Sequence, residues 1–194
     1  GYSITSAPLY YDGMVITGFA GAEFGVRGKV KAFDARNGKP LWTFHTIPGP
    51  GEIGHDTWPA NSNAWQKGGG TVWQTPAVDP SLGLIYFSTG NPGPDFNGAV
   101  RPGDNLFSAS IVAIEARTGK YRWHFQIVHH DIWDFDPGAA PMLIDVRRNG
   151  RTIPAVALIS KSGLMFLLDR TNGKPIYGVE ERPVPASDVP GEKA

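Results

Sequence analysis

The sequence predicts an all-β fold, an arc of β-propeller blades, and three observations carry that prediction. One motif recurs three times, turn-forming residues punctuate the chain at short intervals, and no segment shows the apolar period of a helix of useful length. The repeats are VKAFDARNGKPLW at 30–42, IVAIEARTGKYRW at 111–123 and MFLLDRTNGKPIY at 165–177. In each, an alternating apolar strand runs into an acid (Asp34, Glu115 or Asp169), and a turn closes on Gly38, Gly119 or Gly173. A short strand then ends in Trp42, Trp123 or Tyr177. Asn or Thr before Gly-Lys suits a tight hairpin whose glycine takes a positive φ.

Upstream of each repeat lies a partner pair of strands, turned by Asp12-Gly13, by Pro-Ser-Leu-Gly at 80–83 and by Arg-Asn-Gly at 148–150. Four short antiparallel strands per unit is the pattern of a propeller blade. An immunoglobulin-like sandwich would also carry many short strands, but it has no need to repeat the acid, glycine and aromatic at matching positions. The whole of 1–194 is therefore expected to belong to one propeller domain. Its blades are expected at about 2–42, 71–123 and 138–177, with long loops at 43–70, 91–106 and 124–137. Propellers have about four to eight blades. Three cannot close a ring, so the remaining blades are expected outside this chain or from other chains.

Composition narrows the function classes. The 194 residues carry 18 Lys+Arg against 18 Asp+Glu, so no basic surplus points to nucleic acid or to an anionic membrane. No apolar run is long enough for a membrane-spanning helix. The 25 glycines and 17 prolines fit many short strands joined by turns. Because the chain has no cysteine, any metal must be held by carboxylate, amide or imidazole. The chain opens as if in mid-strand, without a start methionine or signal peptide, and reads as part of something longer.

Several motifs fall away on inspection. The segment GKVKAFDARNGK is no phosphate-binding loop, because no Gly-Lys-Ser/Thr opens a helix, and GGGT at 68–71 leads into a strand. No nucleophile elbow is present, and the five histidines lack zinc spacing. What remains is GFAGAEFGVRG with Glu23, GGGTVW with Trp73, STGNPGP with Asn91, SKSG with Lys161, and HHDIWDFD at 129–136. Singly, Glu23 reads as a solvated loop acid, Asn91 as a turn residue, Trp73 as core and Lys161 as surface charge. The stretch HHDIWDFD reads as a metal site, a braced general base or a polar loop. Together, Glu, Asn and Asp from separate blades are hard oxygen donors of the kind that hold Ca²⁺.

In order along about residues 2–177, GAEFGVRG, GGGTVW, TGNP, RPGDN, HHDIWDFD and the repeated blade ending resemble the quinoprotein alcohol dehydrogenases. These are eight-bladed propellers that use pyrroloquinoline quinone (PQQ), with chains about three times longer. The resemblance implies oxidation of an alcohol to an aldehyde or ketone, with Asp134 as general base and hydride passing to C5 of PQQ. It implies that Thr5, Gly21, Ala22, Trp73 and Lys161 contact PQQ, Trp73 lying flat against the ring and Lys161 meeting the quinone oxygens. Glu23, Asn91 and Asp134 would bind Ca²⁺ or a lanthanide ion, and Asp136 is the added acid that the lanthanide-dependent branch uses. His129 and His130 are expected to brace the loop, and Trp133 to pack it.

The resemblance further implies a small alcohol or polyol substrate, a cytochrome or quinone acceptor, and the periplasm. Tyr177 stands where the other repeats have tryptophan, Ala20 where methanol dehydrogenases have serine, and a capping vicinal disulfide cannot come from this segment. Two alternatives stay open: a sugar or polyol dehydrogenase of the glucose type, and a non-catalytic propeller module for binding or assembly. The latter has no reason to keep Glu23, Asn91 and Asp134 together.

Overall fold

Each repeat folds into the two outer strands of an antiparallel sheet, or begins to. In the computed structural model, which describes residues 1–192, the strands form three sheets, each running through its strands in chain order. The first holds β1 (Leu9–Tyr11), β2 (Met14–Gly18), β3 (Lys29–Asp34) and β4 (Pro40–His45). The second holds β5 (Ala77–Asp79), β6 (Leu84–Ser88), β7 (Ser110–Glu115) and β8 (Tyr121–Gln126). The third holds β9 (Met142–Arg148), β10 (Arg151–Ile159) and β11 (Met165–Asp169). Among the described residues the only helical pieces are short 3₁₀ turns in loops, such as Ala22–Phe24 and Gly98–Val100.

The expected turn chemistry is realised. Asp12 and Gly13 both have positive φ between β1 and β2, as do Asn149 and Gly150 between β9 and β10, which matches the twist of the flanking strands. In the repeat turns Gly38, Gly119 and Gly173 have φ of 71°, 68° and 77°. Their N–H groups donate to the carbonyls of Asp34, Glu115 and Asp169 at 2.8, 2.9 and 2.8 Å. Asp34 and Asp169 also accept the N–H two residues ahead on their carboxylates, whereas the longer Glu115 takes the Thr118 hydroxyl instead.

The third blade departs from the four-strand expectation. Its last strand is reduced to a bridge between Leu168 and Pro175, flanked by hydrogen bonds from Asp169 N to Lys174 O and from Ile176 N to Leu167 O. Pro175 supplies no N–H, and after Tyr177 the chain leaves along an exposed, Pro-containing stretch, so nothing extends the pairing.

The middle sheet is apolar on both faces, and strand alternation divides its side chains between two cores. Ile85, Phe87, Val112 and Ile114 pack with Ile16, Val30 and Ala32 of the first blade. Leu84, Tyr86, Ile111 and Ala113 pack with Val156, Leu158 and Leu168 of the third. Each Val, Leu, Ile or Phe among them contributes about 1.5–3 kcal/mol relative to exposure. The seams repeat too. Trp42 Nε1 donates to Ala116 O at 3.1 Å, and Trp123 Nε1 to Arg170 O at 3.2 Å, each reaching the next blade's turn. Each indole lies over that turn's glycine: a Cβ on Gly119 would sit 2.8 Å from the Trp42 ring, and one on Gly173 2.5 Å from Trp123.

Arg170 adds an ion pair across the second seam, with Nε 2.6 Å from Asp79 Oδ2. Burial alone pushes the Asp79 carboxyl up. Hydrogen bonds from Ser81, Arg170 and the backbone N–H of Leu82 and Ser81 outweigh it and bring the pKa down to about 2, from an ordinary 3.8. A depressed pKa means that the contribution is present above the unfolded value and lost as pH falls through about 2. Asp79→Asn should therefore cost on the order of 2 kcal/mol at neutral pH. Denaturant titrations of mutant and parent should converge as the pH is lowered from about 4 to 2.

Candidate active site

The three sheets bring their chemistry-bearing residues together because their inner connections run side by side. The GGGTVW stretch threads between the segment that carries Glu23 and the segment that carries Asn91. Gly28 N donates to Gly69 O at 2.8 Å, Gly70 N to Asn91 O at 2.8 Å and Gly90 N to Thr71 O at 2.7 Å. A Cβ on Gly69, whose φ is +70°, would lie 2.7 Å from Asn91 O, so the glycine is there for backbone approach.

These strands leave a cavity of about 290 Å³ lined by Thr5, Ala20, Gly21, Glu23, Thr71, Trp73, Asn91 and Lys161. Glu23 sits on the 3₁₀ turn between Gly21 and Gly25, both left-handed, which leaves its carboxylate exposed. Asn91 is buried, and its Nδ2 donates to Pro92 O at 3.3 Å and to Asp95 Oδ1. The Thr5 hydroxyl donates to Trp73 O at 3.0 Å. Ala22 is buried within the turn and lies outside the lining.

HHDIWDFD borders this cavity, and its shape comes from its first aspartate. Asp131, 1% exposed, accepts the N–H groups of Trp133 and Phe135, both at 2.9 Å. The bend places Asp134 at φ 60°, a left-handed conformation that aspartate tolerates. Lys161 of the third blade then meets both later acids, with Nζ 2.7 Å from Asp134 Oδ1 and 2.6 Å from Asp136 Oδ1. The Trp73 indole N–H donates to Asp136 Oδ2 at 3.1 Å, and Lys161 Nζ is 5.6 Å from the Trp73 ring centre. Lys161 N also donates to Asp136 O at 3.2 Å. The histidines brace the loop: His130 Nδ1 lies 2.8 Å from Gly103 O, and His129 Nε2 lies 3.3 Å from Glu181. Trp133 stacks on Phe135.

Burial and crowded charge set the electrostatics. Asp136 is fully buried, which pushes its carboxyl up to about 7 against the opposing pull of Lys161 and with the help of Asp134. Burial would lower the Lys161 ammonium, but the two carboxylates prevail and raise it. Asp95 is pushed up to about 6, by burial first and then by the charges of Glu23 and Asp134. These acids therefore share one local field. Among the described residues, no three carboxylate or imidazole groups converge as a ready metal cage. Among the residues that line the cavity, Glu23 carries a carboxylate and Asn91 a side-chain amide.

Sequence reasoning missed Asp95, Arg101 and Asp131. Arg101 is completely buried, and its guanidinium donates to Pro94 O, Asp95 O, Asn105 Oδ1 and Asp131 O at 2.7–3.0 Å. It thereby joins the loop of Asn91 to the loop of Asp134 and Asp136. Burial lowers its pKa to about 10, which still leaves it charged at neutral pH. The sequence did hold a signal for Asp131: an aspartate two residues before a backbone N–H it can accept is a recurrent turn device.

A propeller arc whose inner loops gather a tryptophan, a lysine and several oxygen donors belongs with the quinone-dependent dehydrogenases. The chain is a member of the family described as PQQ: Glucose/ethanol/alcohol dehydrogenase, beta-propeller domain, matched over residues 1–194. It is 40% identical over 195 residues to the quinoprotein alcohol dehydrogenase PedH of Pseudomonas putida, covering 92% of this chain and 32% of that protein. It superposes on the quinohemoprotein alcohol dehydrogenase of Comamonas testosteroni with a TM-score of 0.85 at 38% identity, covering 94% of this chain and 29% of that one. A europium-containing methanol dehydrogenase gives a TM-score of 0.84 at 35% identity, covering 91% of this chain and 33% of that one. The chain thus spans about a third of the length of the relatives it matches.

Because Arg101 meets its four acceptors in a rigid fork, Arg101→Met should destabilise the protein by about 3 kcal/mol. Arg101→Lys should recover only part of that loss. Amide exchange should quicken in 129–136 and 91–106 before it quickens in β6 or β7, which hydrogen-exchange mass spectrometry would read directly.

Proposed function

We propose that the protein containing this chain oxidises a primary or secondary alcohol with PQQ and a bound cation. The observation that carries the reading is the convergence of Thr5, Gly21, Glu23, Trp73, Asn91 and Lys161 on one cavity, with Lys161 tied to Asp134 and Asp136 at its border. The residues fit the groups. Trp73 offers an aromatic face to a planar ring, and Lys161 a cation to its oxygens. Glu23 and Asn91 offer hard oxygen donors to Ca²⁺ or a lanthanide ion. Thr5 would turn its hydroxyl from Trp73 O toward a carboxylate of the cofactor. When bound, PQQ supplies the two-electron acceptor, and the cation polarises it as a Lewis acid.

The chain's own residues would then do three things. Asp134 takes the proton of the substrate hydroxyl. Its partner Lys161, 2.7 Å away, holds it in place and stabilises negative charge that develops beside it. Asp136, buried between Lys161 and Trp73, fixes both groups and joins the donor set when the ion is trivalent. Electrons would leave to a cytochrome or quinone, and the protein would work in the periplasm. The likeness to a europium-containing methanol dehydrogenase supports a lanthanide as one candidate ion, and Asp136 would tip the choice between it and Ca²⁺.

Reconstitution of the complete polypeptide with PQQ plus Ca²⁺, or plus La³⁺, should restore alcohol-dependent dye reduction. Failure with both ions would end this reading. Asp134→Asn should lower turnover by about 10²–10⁴-fold with PQQ still bound by absorbance. Asp136→Ala should weaken La³⁺-supported turnover at least about tenfold more than Ca²⁺-supported turnover, since loss of one anionic donor matters more to a trivalent ion.

A further inference from the structure

We propose that Asp95 is a positioning residue for the cation, acting through Asn91: it dictates which end of the Asn91 amide faces the cavity. The inference rests on the cation-binding reading above. An asparagine side chain has two chemically opposite ends of nearly identical shape, and only the oxygen binds a cation. Something must therefore choose between the two orientations.

At Asn91 that choice is made by two acceptors placed on one side of the amide. Nδ2 donates to Pro92 O at 3.3 Å and to the Asp95 carboxylate. A backbone carbonyl and an ionised carboxylate cannot donate, so a flipped amide would turn its oxygen onto two other oxygens. The nitrogen is held on the Asp95 side, and the oxygen, with no donor of its own among the described residues, is left for the cavity that Asn91 lines. Burial makes the preference steep, since Asn91 is 4% exposed and little water is there to satisfy a wrong orientation.

Asp95 is itself fixed independently of its side chain. Arg101 Nη2 donates to the Asp95 backbone carbonyl at 2.8 Å, and Arg101 Nε to Pro94 O at 3.0 Å. Truncating the Asp95 side chain leaves both bonds in place, so its effect on the amide can be separated from its effect on the loop. Partners of this kind, one step removed from a metal ligand, typically contribute about 10–100-fold to metal affinity.

The test measures cation affinity of the complete protein directly, by calorimetry with Ca²⁺ and by tryptophan-sensitised Tb³⁺ luminescence, with thermal unfolding as the check on folding. Asp95→Ala should weaken binding at least about tenfold. Asp95→Asn, which can still turn an oxygen to Asn91, should stay within about threefold of the parent. In an Asn91→Ala background, Asp95→Ala should cost less than about twofold, because the residue through which it acts is gone. Asp95→Asn as weak as Asp95→Ala would mean that charge alone matters and would overturn the proposal. An undiminished cost of Asp95→Ala in the Asn91→Ala background would make Asp95 a direct ligand and also overturn it. Unchanged affinity in a folded Asp95→Ala protein would overturn it with the cation reading intact. A parent protein that binds neither ion would remove both.

Discussion

The buried guanidinium of Arg101 is the contact on which the site depends. The strands are held by ladders and by two apolar cores, but nearly every chemistry-bearing side chain sits on a loop outside those ladders. Loops need their own anchors, because an unpaired backbone carbonyl shielded from water is costly. Arg101 meets three such oxygens at once, two on the loop that follows Asn91 and one on the loop that carries Asp134, and the side-chain oxygen of Asn105 as well. Its planar fork fixes direction as well as distance, which a lysine ammonium would not. Around that anchor, Asp131 shapes its own loop, and Asp95 is left facing Asn91.

Lys161 plays the complementary role on the other side of the cavity. It brings the third blade to Asp134 and Asp136, while the Trp73 indole brings the second blade to Asp136. Several acids stand in one partly buried region, with a single lysine against Asp134 and Asp136. Burial first, and then this crowding of acids, raises the carboxyl pKa values of Asp95 and Asp136. In the proposed reading that crowding is also the field that would draw a cation to the oxygens of Glu23 and Asn91. The same excess of negative charge would then oppose the folded state and favour the ion.

The repeating seams explain how a three-blade segment holds these loops in place. Each tryptophan crosses to the next blade's turn, where a glycine leaves room for the ring and a carbonyl accepts the indole N–H. The same seam gathers Tyr86 and Asp79 onto Arg170. A middle sheet buried on both faces makes the blade-to-blade spacing a matter of close packing rather than of loop length.

The blades were legible in the sequence because their signals are local. An acid, a positive-φ glycine and an aromatic at matching positions specify a turn and a strand end wherever they occur, and period-two alternation names the buried faces. Local chemistry also marked Glu23, Trp73, Asn91 and Lys161, and the order of their motifs named the family. The third blade's missing strand was less legible, because Pro40 begins a strand in the first blade while Pro175 makes only a bridge in the third. That difference depends on where the chain goes next. Asp95, Arg101 and Asp131 needed the tertiary structure, since their partners are fixed by how loops cross and not by sequence spacing. Which groups Asp134 and Asp136 face was likewise decided in space: Lys161 lies 27 residues beyond Asp134, and only the packing of the third blade against the second brings its charge between them.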